Sequence, residues 1–366
     1  MKKIVPIAIV SLLMGSASYA APFMAIGDGA ELFVTGSVGI RADDNIFLTA
    51  KETDDVIFDI TPGFDLTFGK DAQVKGALTA GVAFTNYSDN DRLNTELLNT
   101  SFRSRFDDGK VKLNFDLSFT ELNQNTPDVV GLTRRDVFSV GGNGEVEVSQ
   151  LTSLAAGVSF SRENYKKAGY TDSESLNIPL DFYYKVSPKV DVSAGYRYRE
   201  YYVDLGQDSS DNYFMLGGRG EFSPKLVGKF AVGYGKREFN RGGDDDLIAV
   251  DGSFSYEVSP KTSLQFGASH DFGTSPQGVQ QKNLTVNGAV TTKLTEDWSV
   301  NGGLSYRRID YGTRTDDYIE GNLGAAYIVN AYLRLQGAYV HREYKTVTAG
   351  GDFSNNVFSI AANLRY

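Results

Sequence analysis

From Val111 the odd positions read Val111, Leu113, Phe115, Leu117, Phe119, while the even ones read Lys112, Asn114, Asp116, Ser118, Thr120. The same two-residue period runs through Leu176, Ile178, Leu180, Phe182, Tyr184 and through Val190, Val192, Ala194, Tyr196, Tyr198. Successive strand residues point to opposite faces, so each run predicts a strand with one apolar and one polar side. Strands of a soluble sandwich are about 5–6 residues long. Runs of roughly 10–14 instead match the about 9–11 residues with which a tilted strand crosses a bilayer. Lipid offers no partner to a backbone amide, so a sheet made of such strands has to close on itself.

Spacing adds the order of the strands. Ser-Pro-Lys occurs at Ser187, Ser223 and Ser259, with 36 residues from one start to the next; the same step leads to Thr295-Glu296-Asp297 and then to Ala331. Looser turn signals lie at Gly69-Lys70-Asp71, Asp107-Asp108-Gly109 and Gln150-Leu151-Thr152. These short turns alternate with longer polar stretches, among them Asp43–Asp54, Leu122–Leu132, Asn240–Asp246 and Gly273–Gln281. Short turns on one side and longer loops on the other are the habit of outer-membrane barrels. The expected fold is an all-β, antiparallel up-and-down transmembrane barrel of 18 strands, or 16 if the weak first run, Glu31–Arg41, drops out. None of the loops is long enough to be an evident plug.

Composition removes whole classes of chemistry. The 366 residues include no Cys and only 2 His, so thiolate metal sites, Cys nucleophiles and multi-histidine centres are excluded. A net charge of −10 is the wrong sign for binding nucleic acid. At the N-terminus, Lys2 and Lys3 precede the apolar run Ile4–Leu13 and the small-residue site Ser18-Tyr19-Ala20. That is the pattern of a secretory signal peptide over residues 1–20, which leaves 21–366 as the barrel and sends the chain to a Gram-negative outer membrane.

In the 36-residue register Tyr198, Tyr234, His270 and Tyr306 share a column, which His341 joins after a one-residue deletion. The column lies on the apolar parity near the outer loops, where an aromatic girdle is expected. The competing reading makes His270 catalytic beside Ser269 and Asp271, but neighbours in a strand face opposite ways and cannot converge. Neither Asp244-Asp245-Asp246 nor Asp89-Asn90-Asp91 follows a calcium-loop pattern. No catalytic residue, cofactor or metal is expected.

The polar parity should line the lumen, with Arg103, Arg105, Glu145, Glu147, Arg197, Arg199, Arg219, Lys229, Arg307, Arg334 and Arg342 as candidates. Arg197, Arg199 and Arg307 would form a basic ladder suited to acidic sugars. A barrel of about 16–18 strands is wide enough for an aqueous channel. The chain ends on Phe358, Ile360, Ala362, Leu364 and Tyr366, in which Phe358, Leu364 and Tyr366 resemble the terminal signal read by the barrel assembly machinery.

Two segments carry a family likeness. Asp43-Asp44-Asn45-Ile46-Phe47, followed by Phe58-Asp59-Ile60-Thr61-Pro62-Gly63-Phe64, resembles the opening of the putative β-barrel porin 2 family. Gly195-Tyr196-Arg197-Tyr198-Arg199-Glu200-Tyr201 and Gly233-Tyr234-Gly235-Lys236-Arg237-Glu238-Phe239 are similar in kind, and the likeness covers about residues 31–366. It implies an outer-membrane barrel that assists passage of an extracellular or capsular polysaccharide, with polysaccharide export proteins as partners beside lipid and lipopolysaccharide. It supplies no binding residues. A general diffusion porin and a non-conducting adhesive barrel are the alternatives.

Overall fold

The computed structural model describes residues 21–126 and 129–366. The expected signal peptide, 1–20, lies outside the described residues. Nearly everything else is strand. The first strands are β1 (Met24–Ile26), β2 (Ala30–Asp43), β3 (Asp55–Phe68), β4 (Val74–Tyr87), β5 (Thr95–Asp107) and β6 (Val111–Thr126). Then come β7 (Val129–Glu147), β8 (Thr152–Tyr165), β9 (Ser173–Ser187), β10 (Val190–Val203), β11 (Ser209–Ser223) and β12 (Leu226–Phe239). The last are β13 (Asp244–Ser259), β14 (Thr262–Thr274), β15 (Gln280–Lys293), β16 (Trp298–Asp310), β17 (Thr315–Ile328), β18 (Leu333–Lys345) and β19 (Phe353–Arg365).

Strands β2 to β19 pair with their sequence neighbours, all antiparallel, and the sheet closes where β19 meets β2 from Val357↔Asp43 to Arg365↔Thr35. Eighteen strands therefore make the wall, and the first run is one of them. The short β1 pairs with Ala30–Leu32 of β2, on the edge that β19 leaves free below Tyr366.

The repeating turns share one device. Ser187 Oγ accepts from the amides of Lys189 (3.3 Å) and Val190 (3.1 Å), and Thr295 Oγ1 does the same for Asp297 (3.3 Å) and Trp298 (3.0 Å). Asn330 Oδ1 serves Tyr332 and Leu333, and Asp108 Oδ1 serves Lys110 and Val111. A short polar side chain that folds back on its own backbone is what fixes such a turn. The period of 36 is thus one hairpin plus its turn.

Period two gives each strand a lipid face and a lumen face. Val38, Ile40, Phe58 and Ile60 are exposed on adjacent strands, paired as Val38↔Ile60 and Ile40↔Phe58. The residues between them, Gly39↔Asp59 and Ser37↔Thr61, look inward. In this fold the exposed apolar residues are the wall that meets lipid.

One expected loop is not a loop. Most of Leu122–Leu132 is strand, because β6 and β7, at 16 and 19 residues, are extended beyond the length that spans the wall. Likewise β13 starts at Asp244, inside the expected loop Asn240–Asp246.

Candidate functional site

The lumen wall falls into two zones. In its middle and periplasmic parts the inner row carries half-buried or exposed ions matched to neighbours on the wall. Arg103 faces Asp116 (3.5 Å) and Lys229 faces Asp251 (3.4 Å). Arg105 pairs with Asp107, and exposed Glu147 ends β7 opposite Ser153. Arg219 reaches furthest: its Nε donates to Asp191 (3.0 Å) and its Nη1 to Glu145 (2.8 Å), on β7, while its guanidinium lies 3.4 Å over the Tyr183 ring. From β15 to β18 the inner row is mostly uncharged. Arg307 donates to Asn283 there, and half-buried Arg334 stands near the periplasmic end of β18. A Cβ on Gly324 would come within 2.7 Å of Asn301 Oδ1, and one on Gly303 within 2.9 Å of Asn322 Nδ2. These asparagines lie over glycines of the next strand and leave a low amide surface.

The outer third is packed. Inner-row residues there are buried on many strands: Ile57, Tyr87, Thr133, Arg135, Ser175, Asp211, Tyr213, Arg237, Ile309, Asp316, Val340, Tyr344 and Asn355. Two infolded segments cover them.

The first is the β2–β3 connection. Asn45, fully buried, donates from Nδ2 to Thr49 O (2.8 Å) and Ser354 O (2.9 Å) and accepts from Thr49 N (3.2 Å). This holds a tight bend in which Leu48 adopts φ 50°, a positive value that is uncommon for such a residue. Ile46 clusters with Ile57 and Tyr87, against which Leu132 packs, and Leu48 clusters with Tyr344 and Phe353, against which Tyr318 packs. Asn125 Nδ2 donates to Ile46 O (2.6 Å) and Gly131 N to Phe47 O (3.2 Å), so the outer ends of β6 and β7 are tied to the same segment. Beneath it Arg342 donates to Glu320 (3.0 Å) and Asn355 (2.8 Å), and Asn355 donates to Asp43 (2.6 Å).

The second is the β14–β15 hairpin. The β13–β14 ladder stops at Val250↔His270, whereas β12–β13 runs on to Glu238↔Asp244. Beyond that point β14 leaves the wall and crosses the lumen side of β10 to β13. Arg199 donates to Phe272 O (3.0 Å), and Arg237 donates to Gly273 O (2.9 Å) and to Gln280. Phe272 is buried against Tyr213, Leu247 and Ala249. Asp271 bonds the Tyr213 hydroxyl and both Arg197 (3.3 Å) and Arg199 (3.2 Å), and fully buried Asp211 bonds both Arg199 (2.7 Å) and Arg237 (2.8 Å). The hairpin tip docks on two other loops: Thr171 N donates to Pro276 O (2.8 Å) and Gln280 Nε2 to Gln207 O (3.2 Å). Gly278, at φ 77°, lies so close to Leu205 that a Cβ would overlap the Leu205 carbonyl oxygen.

Two expectations change here. Arg197 and Arg199 do not form a ladder with Arg307, because Asp211 and Asp271 bind the first two into a matched cluster while Arg307 turns to Asn283 on β15. And two segments do fold inward, although their lengths gave no sign of it.

On the lipid side, Tyr198 donates to Glu200 (2.7 Å) and Tyr306 to Asp317 (2.6 Å), while Tyr234 is exposed beside Phe214 and Ile248. His341 Nδ1 lies 2.9 Å from Asn356 Oδ1. His270 Nδ1 lies 2.6 Å from Ile248 O, a carbonyl of the β13 edge that β14 has left. The two rings are thus engaged by a backbone carbonyl and an amide oxygen. Phe358 and Leu364 are exposed on β19, and Tyr366 packs at a tilt against Tyr332.

Comparison with known proteins agrees with this architecture. The family described as Putative beta-barrel porin 2 matches residues 22–366. No curated protein matches the chain. Among solved structures, Pseudomonas aeruginosa OccK2 (OpdF), in complex with glucuronate, is 11% identical with a TM-score of 0.51, over 92% of this chain and 98% of that one. Pseudomonas aeruginosa OpdQ is 12% identical with a TM-score of 0.50, over 93% and 100%. Acinetobacter baumannii OccAB2 is 11% identical with a TM-score of 0.50, over 92% and 98%. At these identities the likeness is one of fold.

Proposed function

Since the chain belongs to the putative beta-barrel porin 2 family, an outer-membrane barrel of the porin kind, we propose that it is a passive channel for small hydrophilic solutes. The observation that carries the reading is the two-zone lumen: a polar, ion-matched wall that opens toward the periplasm, narrowed at its outer third by two infolded segments. Charges on the inner face are largely balanced by neighbours, as in Arg103–Asp116 and Lys229–Asp251, which suits solutes of either sign better than a strongly charged polymer. The packed outer third also favours small solutes over an extracellular polysaccharide, the cargo implied by the family likeness. The lumen row (Arg103, Arg105, Glu145, Arg219, Lys229) is the path, the outward aromatic column anchors the outer interface, and Phe358, Leu364 and Tyr366 address the chain to the assembly machinery.

Planar-bilayer conductance tests this. A steady ion current, with sugars such as glucose and glucuronate permeating in liposome-swelling assays and long dextrans excluded, is the expected result. Dextran-length polymer passing as readily as glucose would overturn the small-solute reading, and a barrel with no ion current would overturn the channel itself.

A further inference from the structure

We propose that the β14–β15 hairpin is a hinged lid with two seats: the infolded one seen here, and one in the wall in which β14 zips onto the free edge of β13. The inference rests on the channel reading for its consequence, but not for the movement.

The free edge is built for a partner. Above Val250↔His270, residues 244–249 of β13 pair only with β12, and residues 271–274 of β14 pair only with β15. Continuing the established register would set Ile248 against Phe272 and Leu247 against Gly273. Backbone groups within a membrane-spanning wall need partners, and at this edge one of them is met by a side chain in place of the strand. The His270 imidazole takes the Ile248 carbonyl, and beside it the Lys282 ammonium of β15 pairs with the Asp245 carboxylate of β13 (2.7 Å), a link between side chains where the ladder is missing.

The sequence of β14 fits the second seat as well as the first. Leu264, Phe266, Ala268 and His270 form its lipid-facing row, and Phe272 is the next member. Zipped into the wall, Phe272 would stand beside Ile248, itself 67% exposed toward lipid. In the infolded seat the same side chain is turned onto the inner faces of β11 and β13 and lies 5% exposed among Tyr213, Leu247 and Ala249. One row of residues thus serves two apolar surroundings, which is what a two-state element requires. The infolded seat is held chiefly by side chains: Arg199 and Arg237 on the carbonyls of Phe272 and Gly273, and Asp271 on Tyr213. Moving out exchanges those contacts for ladder hydrogen bonds and uncovers the lumen over β10 to β13.

The chain has no cysteine, so pairs can be introduced cleanly. In the full-length barrel in lipid, Ile248→Cys with Phe272→Cys reports the wall seat, and Val250→Cys with His270→Cys, partners in the existing ladder, is the positive control. Asp245→Cys with Lys282→Cys, joined by a short bifunctional thiol reagent, holds the hairpin inside without touching Phe272. The expected result is oxidative cross-linking of the 248–272 pair, a several-fold rise in open-channel current on cross-linking, and a several-fold fall when 245–282 is joined. Failure of 248–272 to cross-link while the control does would overturn the two-seat lid. Cross-linking with unchanged current in a conducting barrel would overturn its role as a gate. A barrel that cross-links and never conducts would instead refute the channel reading and leave the movement standing.

Discussion

The outer third of the lumen and the two-thirds below it are built from the same strands with the same alternation, yet they are held in opposite ways. Below, the inner row is polar and half-exposed, and apart from Arg219, which holds two carboxylates, its ions meet a single neighbour. Arg103–Asp116 is the pattern, with side chains 72% and 60% exposed. Above, the inner row turns apolar or fully buried, and its ions are shared: Asp211 lies between Arg199 and Arg237, and Asp271 between Arg197 and Arg199. The difference lies not in the wall but in what is folded against it. Water solvates the lower charges, so each pair adds little. The infolded segments exclude water from the upper ones, so each must be compensated in full.

Removing a shared carboxylate should show the contrast most strongly. Asp211→Ala would leave Arg199 and Arg237 buried without their common partner, at about 3–5 kcal/mol; urea unfolding in lipid vesicles measures it, and a loss below about 1 kcal/mol would place the upper cluster in the same class as the lower pairs. Next comes Ile46→Ala, which empties the contact of the β2–β3 segment with Ile57 and Tyr87. Its cost should fall in the lower part of the about 2–5 kcal/mol span for buried aliphatics, since a surface-linked segment can relax. Its larger signature should be raised conductance, and an unchanged current would mean that this segment does not narrow the path. Gly278→Ala should cost about 1–2 kcal/mol through its positive φ and the overlap with Leu205, read as faster protease cleavage of the β14–β15 tip in intact vesicles. Smallest is Lys229→Ala, in the solvated pair with Asp251: about 0–1 kcal/mol, with a shift of ion selectivity toward cations as its readable effect. A stability loss like that of Asp211→Ala would erase the distinction between the zones.

How much of this was legible follows from what period two can encode. Alternation fixes which face a residue takes, and the turn residues mark where a strand reverses, so eighteen strands, or sixteen without the weak first run, could be read from the sequence. It cannot say whether a strand stays in the wall. Phe272 continues the outward row of β14 without a break, and only the shortened ladder to β13 reveals that this row has turned inward. Nor does parity name partners across strands. Arg199 finds Asp271 four strands away, which no spacing along the chain announces. One signal was present: Ile46-Phe47-Leu48 sets three apolar residues inside the otherwise polar stretch Asp43–Asp54. A solvated outer loop has no use for them; a segment returning to the lumen does.

Arg219 has a mechanical consequence. Bonded to Asp191 and Glu145 while stacked on Tyr183, it links β11 to β7 across three intervening strands at the periplasmic rim. A chord of that kind bears tension like the spoke of a wheel and resists any ovalling of the rim. With the base held to one cross-section, bending at the top is confined to the hairpins, and the rest of the hoop stays still while they move.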